Sequence, residues 1–326
     1  MRTDTAKKIL DFINLRVRVS PKDITDNLGI SRQAIYKQIN NLLAQGEIEK
    51  IGKPPKVFYL ISELKAKEKE YDDVDEKIKR FIEQRFINII SSGEIKNGWS
   101  AFISWCSKRG QDVKQSAVDY VDILEKYDGL RKNGLLDGML KMKNTFKNVY
   151  LDYIFYLDFY AIERFGKTKL GNLLLYAKQS QDKKLIKQIS MDIKPCIEVL
   201  MKLYKINAVA FIPPTVKREV QFMKELEKNL ALKSHKIKII KIKTSVVVPQ
   251  KTLNKLEDRV ENAKKTFVVE ENGIYKNILL IDDAIGSGAT LNEIALQIRD
   301  RGIAGGKIIG LAITGSIKGF DVISEV

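Results

Sequence analysis

One stretch of sequence indicates the fold of the C-terminal part of the chain: Ile278-Leu279-Leu280-Ile281-Asp282-Asp283-Ala284-Ile285-Gly286-Ser287-Gly288-Ala289-Thr290. Its first four residues are all aliphatic, which predicts a buried strand over residues 278–281. Two carboxylates, a loop of small residues, and a segment with helical apolar spacing from about Thr290 then follow. This order predicts a strand, a loop and a helix.

The loop has the composition of a phosphate-binding site. Gly286 and Gly288 let backbone N–H groups converge on an anion, and the N-terminus of the following helix favours negative charge. The hydroxyls of Ser287 and Thr290 supply further donors. We therefore predict that Gly286, Ser287, Gly288, Ala289 and Thr290 bind a phosphate.

The two carboxylates suit a sugar better than a phosphate. Asp282 and Asp283 can accept hydrogen bonds from the vicinal hydroxyls of a ribose, directly or around Mg²⁺. Adjacent residues of an extended chain point to opposite faces, so this pair cannot flank one bond as the acid and nucleophile of a glycosidase. The spacing also differs from the nucleotide P-loop and from the dinucleotide-binding glycine motif. The combined prediction is a ribose 5-phosphate site.

Three further β-rich runs, at residues 209–212, 237–242 and 307–314, alternate with helical stretches. Strands separated by helices of this length indicate a parallel sheet flanked by helices. The predicted fold class of residues 151–326 is therefore α/β.

Residues 1–62 carry a different pattern. Helical spacing, Pro21, Gly29 and a capping Ser31 predict three helices, and residues 47–60 predict a hairpin. This is the pattern of a winged helix domain. Polar and basic side chains that fit the major groove face outward from the third helix and the wing: Arg32, Gln33, Tyr36, Lys37, Asn40 and Lys53. A winged helix used for protein contacts or dimerisation is the alternative.

Residues 63–150 predict a helical connector or dimerisation region. Helices are expected at residues 99–108, 115–127 and 135–147, with glycines between them. No chemistry can be derived from this segment.

Composition narrows the function classes. The 326 residues carry a formal charge of +16, which favours nucleic acid or phosphorylated ligands. A single histidine and two cysteines exclude a histidine dyad, a multi-histidine metal site and a structural zinc site. The sequence offers no membrane span and no signal peptide, so we expect a cytoplasmic protein without membrane partners.

Residues 278–290 resemble the signature of type I phosphoribosyltransferases, and their surroundings look most like the ComF branch of that family. Residues 211–218, Phe-Ile-Pro-Pro-Thr-Val-Lys-Arg, are similar to its pyrophosphate-side loop, and residues 250–267 are similar to its flexible loop. Tyr176-Ala177-Lys178 resembles its Leu-Lys-Tyr element. The zinc finger usual in that branch is absent, and a winged-helix pattern stands at the N-terminus instead.

The resemblance implies phosphoribosyl pyrophosphate or a related nucleotide as ligand and Mg²⁺ as cofactor. It makes Lys217 and Arg218 candidates for binding pyrophosphate, and Arg259 or Lys255 candidates for a closing loop. These three, Lys217, Arg218 and Arg259, are the predicted catalytic residues. Departure of pyrophosphate leaves an oxocarbenium-like ribose, which needs positioning and charge neutralisation more than a nucleophile.

Three functions remain open at this point. The protein is expected to be a nucleic-acid-binding phosphoribosyltransferase, or an effector tethered to DNA or an RNA–DNA partner, for instance in phage defence. The alternative is a non-catalytic, ligand-sensing transcriptional regulator of the purine-repressor type. A homo-oligomer is compatible with each of them.

Overall fold

The computed structural model describes residues 4–16, 18–62, 71–90, 93–214, 216, 218–242, 253 and 255–316. The chain divides into two compact units, Met1–Val121 and Asp122–Val326. Each has a hydrophobic core of its own. The sequence predicted three functional regions, at residues 1–62, 63–150 and 151–326. The boundary between the two compact units lies within the second of these regions and does not test them, so they remain a prediction.

The first unit begins with three helices and a hairpin, in the predicted order. Helix α1 spans Asp4–Asn14, α2 spans Pro21–Leu28 and α3 spans Arg32–Ala44, followed by strands β1 (Ile48–Lys53) and β2 (Lys56–Ile61). The hairpin is antiparallel, with Ile48 opposite Ile61.

Local signals explain where these helices start and stop. Ser20 and Asp23 form a reciprocal capping box at the start of α2, and Gly29 ends that helix with a left-handed backbone. Ser31 caps α3. The apolar faces of α1, α2 and α3 meet in one core around the fully buried Ile13 and Ile39.

The rest of the first unit packs around aromatic side chains. Helix α4 spans Glu76–Arg85, β3 (Ile87–Ile89) and β4 (Ile95–Asn97) form a small hairpin, and α5 spans Gly98–Lys108. The long helix α6, Val113–Asp128, continues across the division between the units. Phe86, Phe102 and Tyr120 pack edge-on or tilted with ring centroids 5.1 to 5.6 Å apart.

The second unit is built on a seven-stranded mixed sheet with helices around it, which confirms the α/β class. Its strands are β5 (Arg131–Lys132), β6 (Leu135–Asp137), β7 (Tyr153–Phe159), β10 (Ala208–Phe211), β11 (His235–Lys236), β14 (Ile278–Ile285) and β15 (Ile308–Gly315). Their order is β11-β10-β14-β15-β7-β6-β5. The first five run parallel, and β6 and β5 complete the sheet antiparallel.

Helices and two small ribbons complete this unit. The helices are α7 (Met139–Thr145), α8 (Lys169–Ser180), α9 (Lys183–Leu203), α10 (Phe222–Leu230), α11 (Leu256–Thr266) and α12 (Ala289–Asp300). The ribbons pair β8 (Ala161–Ile162) with β9 (Gly166–Lys167), and β12 (Lys238–Lys241) with β13 (Phe267–Glu270).

The structure corrects three predicted elements. The helix expected at residues 135–147 is strand β6 followed by α7, because Asn133 and Gly134 both have positive φ and form a two-residue hairpin turn. The strand expected at residues 237–242 is β12 of a separate ribbon. Strand β14 continues to Ile285, so Asp282 and Asp283 lie within the strand rather than after it.

Parallel pairing brings the carboxyl ends of β7, β10, β14 and β15 to one edge of the sheet. The chain leaves β14 at that edge, turns at Gly286-Ser287-Gly288 and enters α12. Open parallel sheets bind ligands at such an edge. Among the described residues, no helix is both long enough and apolar enough to cross a membrane.

Candidate functional site

A cavity of about 180 Å³ opens at the carboxyl edge of the large sheet. Residues 282–291, from the end of β14 into α12, form one wall, and residues 212–214 with Val216 and Arg218 form another. Lys178 of α8 and Arg259 of α11 also line it. Four segments that are distant in sequence therefore meet at one site.

The loop at residues 286–290 has the local geometry expected of an anion-binding site. Gly288 precedes α12 in the left-handed region, with φ +84° and ψ 4°. A side chain there would collide with Met142, because a Cβ atom would lie 2.4 Å from its Sδ. The backbone N–H of Ala289 lies 3.3 Å from the Ser287 hydroxyl oxygen, which accepts its hydrogen bond. Residues 286–290 all line the cavity beside the N-terminus of α12.

The two carboxylates differ in their surroundings. Asp283 pairs with Lys178, with its Oδ2 2.8 Å from the Nζ, and both side chains are about 15% exposed (16% and 15%). Asp282 accepts a hydrogen bond from the backbone N–H of Asp283. Burial, with a smaller contribution from the charge of Asp283, raises the pKa of Asp282 to about 8. Burial therefore favours the neutral form of Asp282, and Lys178 is the ion-pair partner of Asp283.

Three cations line the same cavity: Lys178, Arg218 and Arg259. The Arg218 guanidinium donates to the backbone carbonyl of Lys178. Arg259 is 4% exposed and donates from its Nε to the carbonyl of Leu253 at 2.7 Å. Burial lowers the pKa of Arg259, although a guanidinium stays protonated in proteins. These three basic side chains outnumber the two acidic ones at the cavity, and burial favours the neutral form of Asp282, so the cavity favours anions.

Most of the predicted site residues come together. Arg218, Arg259, the two aspartates and residues 286–290 all line the one cavity. Arg259 lies on the buried side of helix α11 and not on a loop. Lys217 lies outside the described residues.

Lys178 is the site residue that the sequence did not single out. It comes from α8, 105 positions before its partner Asp283. The only sequence signal was its place in the Tyr176-Ala177-Lys178 run. Both its side chain and its backbone carbonyl are engaged at the site, so Lys178 links the acidic pair to Arg218.

The donor set suits a divalent cation that is shared with a ligand. No group of three or more acidic, histidine or cysteine side chains forms a metal cluster within the described part of the chain. Mg²⁺ commonly uses one or two protein carboxylates and completes its coordination with phosphate oxygens and water. Asp283 could supply one such carboxylate at the cavity wall, and Asp282 could supply a second when it releases its proton on metal binding.

No protein-family model and no curated protein sequence matches this chain.

The first unit has an exposed polar surface on α3. Arg32, Gln33, Tyr36, Lys37 and Asn40 are all exposed, while Ile35 and Ile39 on the opposite side are fully buried. The helix contains no acidic residue. Lys53 is exposed at the end of β1, opposite Lys56 across the hairpin turn. The residues predicted to bind nucleic acid are thus all exposed, and Arg32, Lys37 and Lys53 among them are basic.

Proposed function

We propose that this protein binds nucleic acid through its N-terminal helices and hairpin, and binds phosphoribosyl pyrophosphate or a related ribose 5-phosphate with Mg²⁺ in the cavity of its second unit. On this proposal residues 151–326 form a phosphoribosyltransferase-like domain that catalyses phosphoribosyl or nucleotide chemistry. Residues 1–62 then form a winged helix that tethers the enzyme to DNA or an RNA–DNA partner, as an effector in phage defence would require.

One observation carries the proposal for the second unit. A glycine-bounded loop at a helix N-terminus, an acidic pair and three cations line the same small cavity. The loop supplies N–H and hydroxyl donors for a 5-phosphate, and the carboxyl groups supply acceptors for sugar hydroxyls. Arg218 and Arg259 remain to neutralise a second anionic group. A ligand with phosphate, vicinal hydroxyls and a further anion matches all three features.

The residues suggest how a transfer would proceed. The loop at 286–290 and Asp283 hold the two ends of the ribose, so that C1 is fixed relative to the incoming acceptor. Arg218 and Arg259 stabilise negative charge as it develops on the departing pyrophosphate. Bound Mg²⁺ would add further neutralisation of that group. No described side chain is needed as a nucleophile.

Thermal unfolding with ligands tests the binding proposal. Phosphoribosyl pyrophosphate with Mg²⁺ is expected to raise the melting temperature, as any ligand specific for the folded state does. Asp282→Ala combined with Asp283→Ala should abolish that rise, while Asp300→Asn at the exposed end of α12 should preserve it. An unchanged melting temperature in the parent protein would refute the ligand assignment.

Turnover separates the enzyme from the sensor. Labelled phosphoribosyl pyrophosphate is incubated with a panel of bases and nucleotides, with and without nucleic acid, and pyrophosphate release is measured. We expect release that depends on Arg218. Tight binding with no release under any condition would instead favour a ligand-sensing regulator of the purine-repressor type.

The exposed face of α3 supports the nucleic-acid proposal. Arginine, lysine, glutamine and asparagine side chains on one helix face can contact both base edges and phosphates in a major groove. Tyr36, which is 46% exposed in the same face, offers an apolar contact. Lys53 and Lys56 would add phosphate contacts from the hairpin.

Salt dependence tests this second half of the proposal. Duplex affinity should fall steeply between low and physiological salt, and Arg32→Ala with Lys37→Ala should reduce the slope of log affinity against log salt by about 0.9 for each lost contact. Lys7→Ala, an exposed lysine on α1, is the matched control. An affinity that does not change with salt would contradict nucleic-acid binding.

A further inference from the structure

Helix α9 carries an exposed apolar row on the side opposite its buried face. Ile186, Ile189, Ile193, Ile197 and Leu200 are buried in the second unit. Met191, Val199 and Leu203 are 65%, 52% and 54% exposed, and the fourth member, Pro195, is also exposed. These four residues, which we call the α9 ridge, recur at every fourth position.

The proline makes the ridge costly for the monomer. Pro195 lies in the interior of the 21-residue helix. Proline at such a position is unfavourable relative to alanine, because it removes one backbone hydrogen bond and crowds the preceding turn. Pro195 is exposed, so its ring is available to an external contact along the ridge.

Residues spaced by four along a helix lie on one face, so the four ridge residues form a continuous apolar row. Two copies of one helix can pack along such a row about a two-fold axis. Each residue then faces the residue equally far on the other side of the axis. The ridge therefore has the spacing needed for self-association.

The sequence of α9 is complementary to itself in one such register. With the axis beside Ile197, Met191 faces Leu203 of the second copy and Pro195 faces Val199 of the second copy. The exposed Asp192 then faces the exposed Lys202 of the second copy. Neither Asp192 nor Lys202 has an ion-pair partner within the described part of the monomer. Apolar residues meet apolar ones, and opposite charges meet at both ends.

We infer that the α9 ridge is the interface of a two-fold symmetric homodimer, in which a second copy of this chain packs antiparallel against α9. The charge pairing selects a second copy over an unrelated partner, because Asp192 and Lys202 are matched at the same distance from the axis. The proposed dimer interface is separate from the proposed ligand and nucleic-acid sites, since no residue of the ridge lines the cavity or belongs to α3.

Sedimentation equilibrium across a range of protein concentrations tests the interface. The parent protein should dimerise, and Met191→Glu with Val199→Glu should give a monomer at the same concentrations. Both positions are exposed in the monomer, so the far-UV circular dichroism spectrum of this variant should match that of the parent, while its melting temperature should no longer rise with protein concentration. Ile274→Glu replaces an apolar residue of similar exposure (76%) outside α9 and should leave the dimer intact.

A charge exchange tests the register. Asp192→Lys and Lys202→Asp, introduced separately, each place like charges face to face and should raise the dimer Kd about tenfold. Introduced together they restore opposite charges and should return the Kd to near the parent value. A parent that is monomeric at every concentration, or a double exchange no better than either single one, would overturn the inference.

Discussion

At the scale of single residues, the two acidic side chains at the cavity have different surroundings. Asp283 forms an ion pair with Lys178, with 2.8 Å between its Oδ2 and the Nζ. Asp282, at the next position, has its pKa raised to about 8 by burial. The raised pKa of Asp282 and the ammonium group of Lys178 both reduce the electrostatic repulsion between these two adjacent acidic side chains.

The raised pKa of Asp282 makes stability depend on pH. The folded state keeps a proton on Asp282 between about pH 4 and pH 8, whereas the unfolded chain has released it, so unfolding becomes easier as pH rises through this window. An asparagine at position 282 cannot ionise, so the Asp282→Asn variant does not lose stability in this way as pH rises. Its melting temperature without ligand should exceed that of the parent by more at pH 8.5 than at pH 5.

The exposed Asp300→Asn is the control, and its difference from the parent should not grow across the same window. A constant difference for Asp282→Asn would show that Asp282 is ionised throughout. We expect the Asp282→Asn variant to be more stable than the parent without ligand but to bind the ligand more weakly. A buried carboxyl group that contributes to ligand binding lowers the stability of the ligand-free protein.

The Lys178–Asp283 pair makes a second prediction at this scale. Lys178→Met leaves the Asp283 carboxylate partly buried without its cation, which should lower the free energy of unfolding by about 1 to 3 kcal/mol. Asp283→Asn in the Lys178→Met background removes the stranded charge and should recover most of the loss. Denaturant midpoints of the two single variants and the double variant measure the coupling.

Additive effects of the two changes would mean that the pair contributes nothing as a pair. Lys169→Met, at the other end of α8, controls for the loss of a lysine from the same helix.

At the scale of elements, the turn between β14 and α12 depends on its contact with α7. Gly288 has φ +84°, and its Cα lies against the Met142 side chain. Gly288→Ala should destabilise the protein by about 1 to 2 kcal/mol from backbone strain alone, with more from the collision with Met142. Thermal unfolding measures the total.

Met142→Ala separates the two contributions. In its background, Gly288→Ala should lose the collision and keep the strain, so its effect on the melting temperature should be smaller than in the parent protein. An equal effect in both backgrounds would show that Met142 does not limit the approach to the loop.

The elements also show what the sequence could predict. The strand, turn and helix between Ile278 and Asp300 were predictable because these elements are contiguous in the sequence. The β5–β6 hairpin was missed although Asn133-Gly134 is a strong turn signal, since strands of two and three residues are too short to show periodicity.

Tertiary pairing explains the remaining differences. A short strand such as β12 has the same kind of sequence whether it belongs to a separate ribbon or to the central sheet. Sequence alone therefore could not show which sheet β12 joins. The contact of Lys178 with Asp283 joins residues 105 positions apart. The pKa of Asp282 depends on burial that only the assembled cavity creates.

At the scale of the whole molecule, each proposed binding surface is built within one unit that has a core of its own. The face of α3 belongs to the first unit, and the cavity belongs to the second. A tethered enzyme needs no energetic coupling between such sites, because the tether acts by raising local concentration. A sensor needs coupling, because its ligand must alter affinity for nucleic acid.

The last prediction follows from this difference. We expect the Kd for a nucleic-acid duplex to agree within about twofold with and without saturating phosphoribosyl pyrophosphate and Mg²⁺, measured by fluorescence anisotropy at one fixed salt concentration. The Kd for the small ligand should be equally insensitive to the duplex. Linkage requires any coupling to appear with the same factor in both titrations.

The variant with Asp282→Ala and Asp283→Ala makes the comparison decisive. A real ligand effect on duplex affinity must disappear in it, whereas competition between a polyanionic ligand and the duplex for the basic surface of α3 would persist. A reciprocal shift of equal size in the parent, lost in this variant, would assign the protein to ligand-sensing regulation and reject the tethered enzyme.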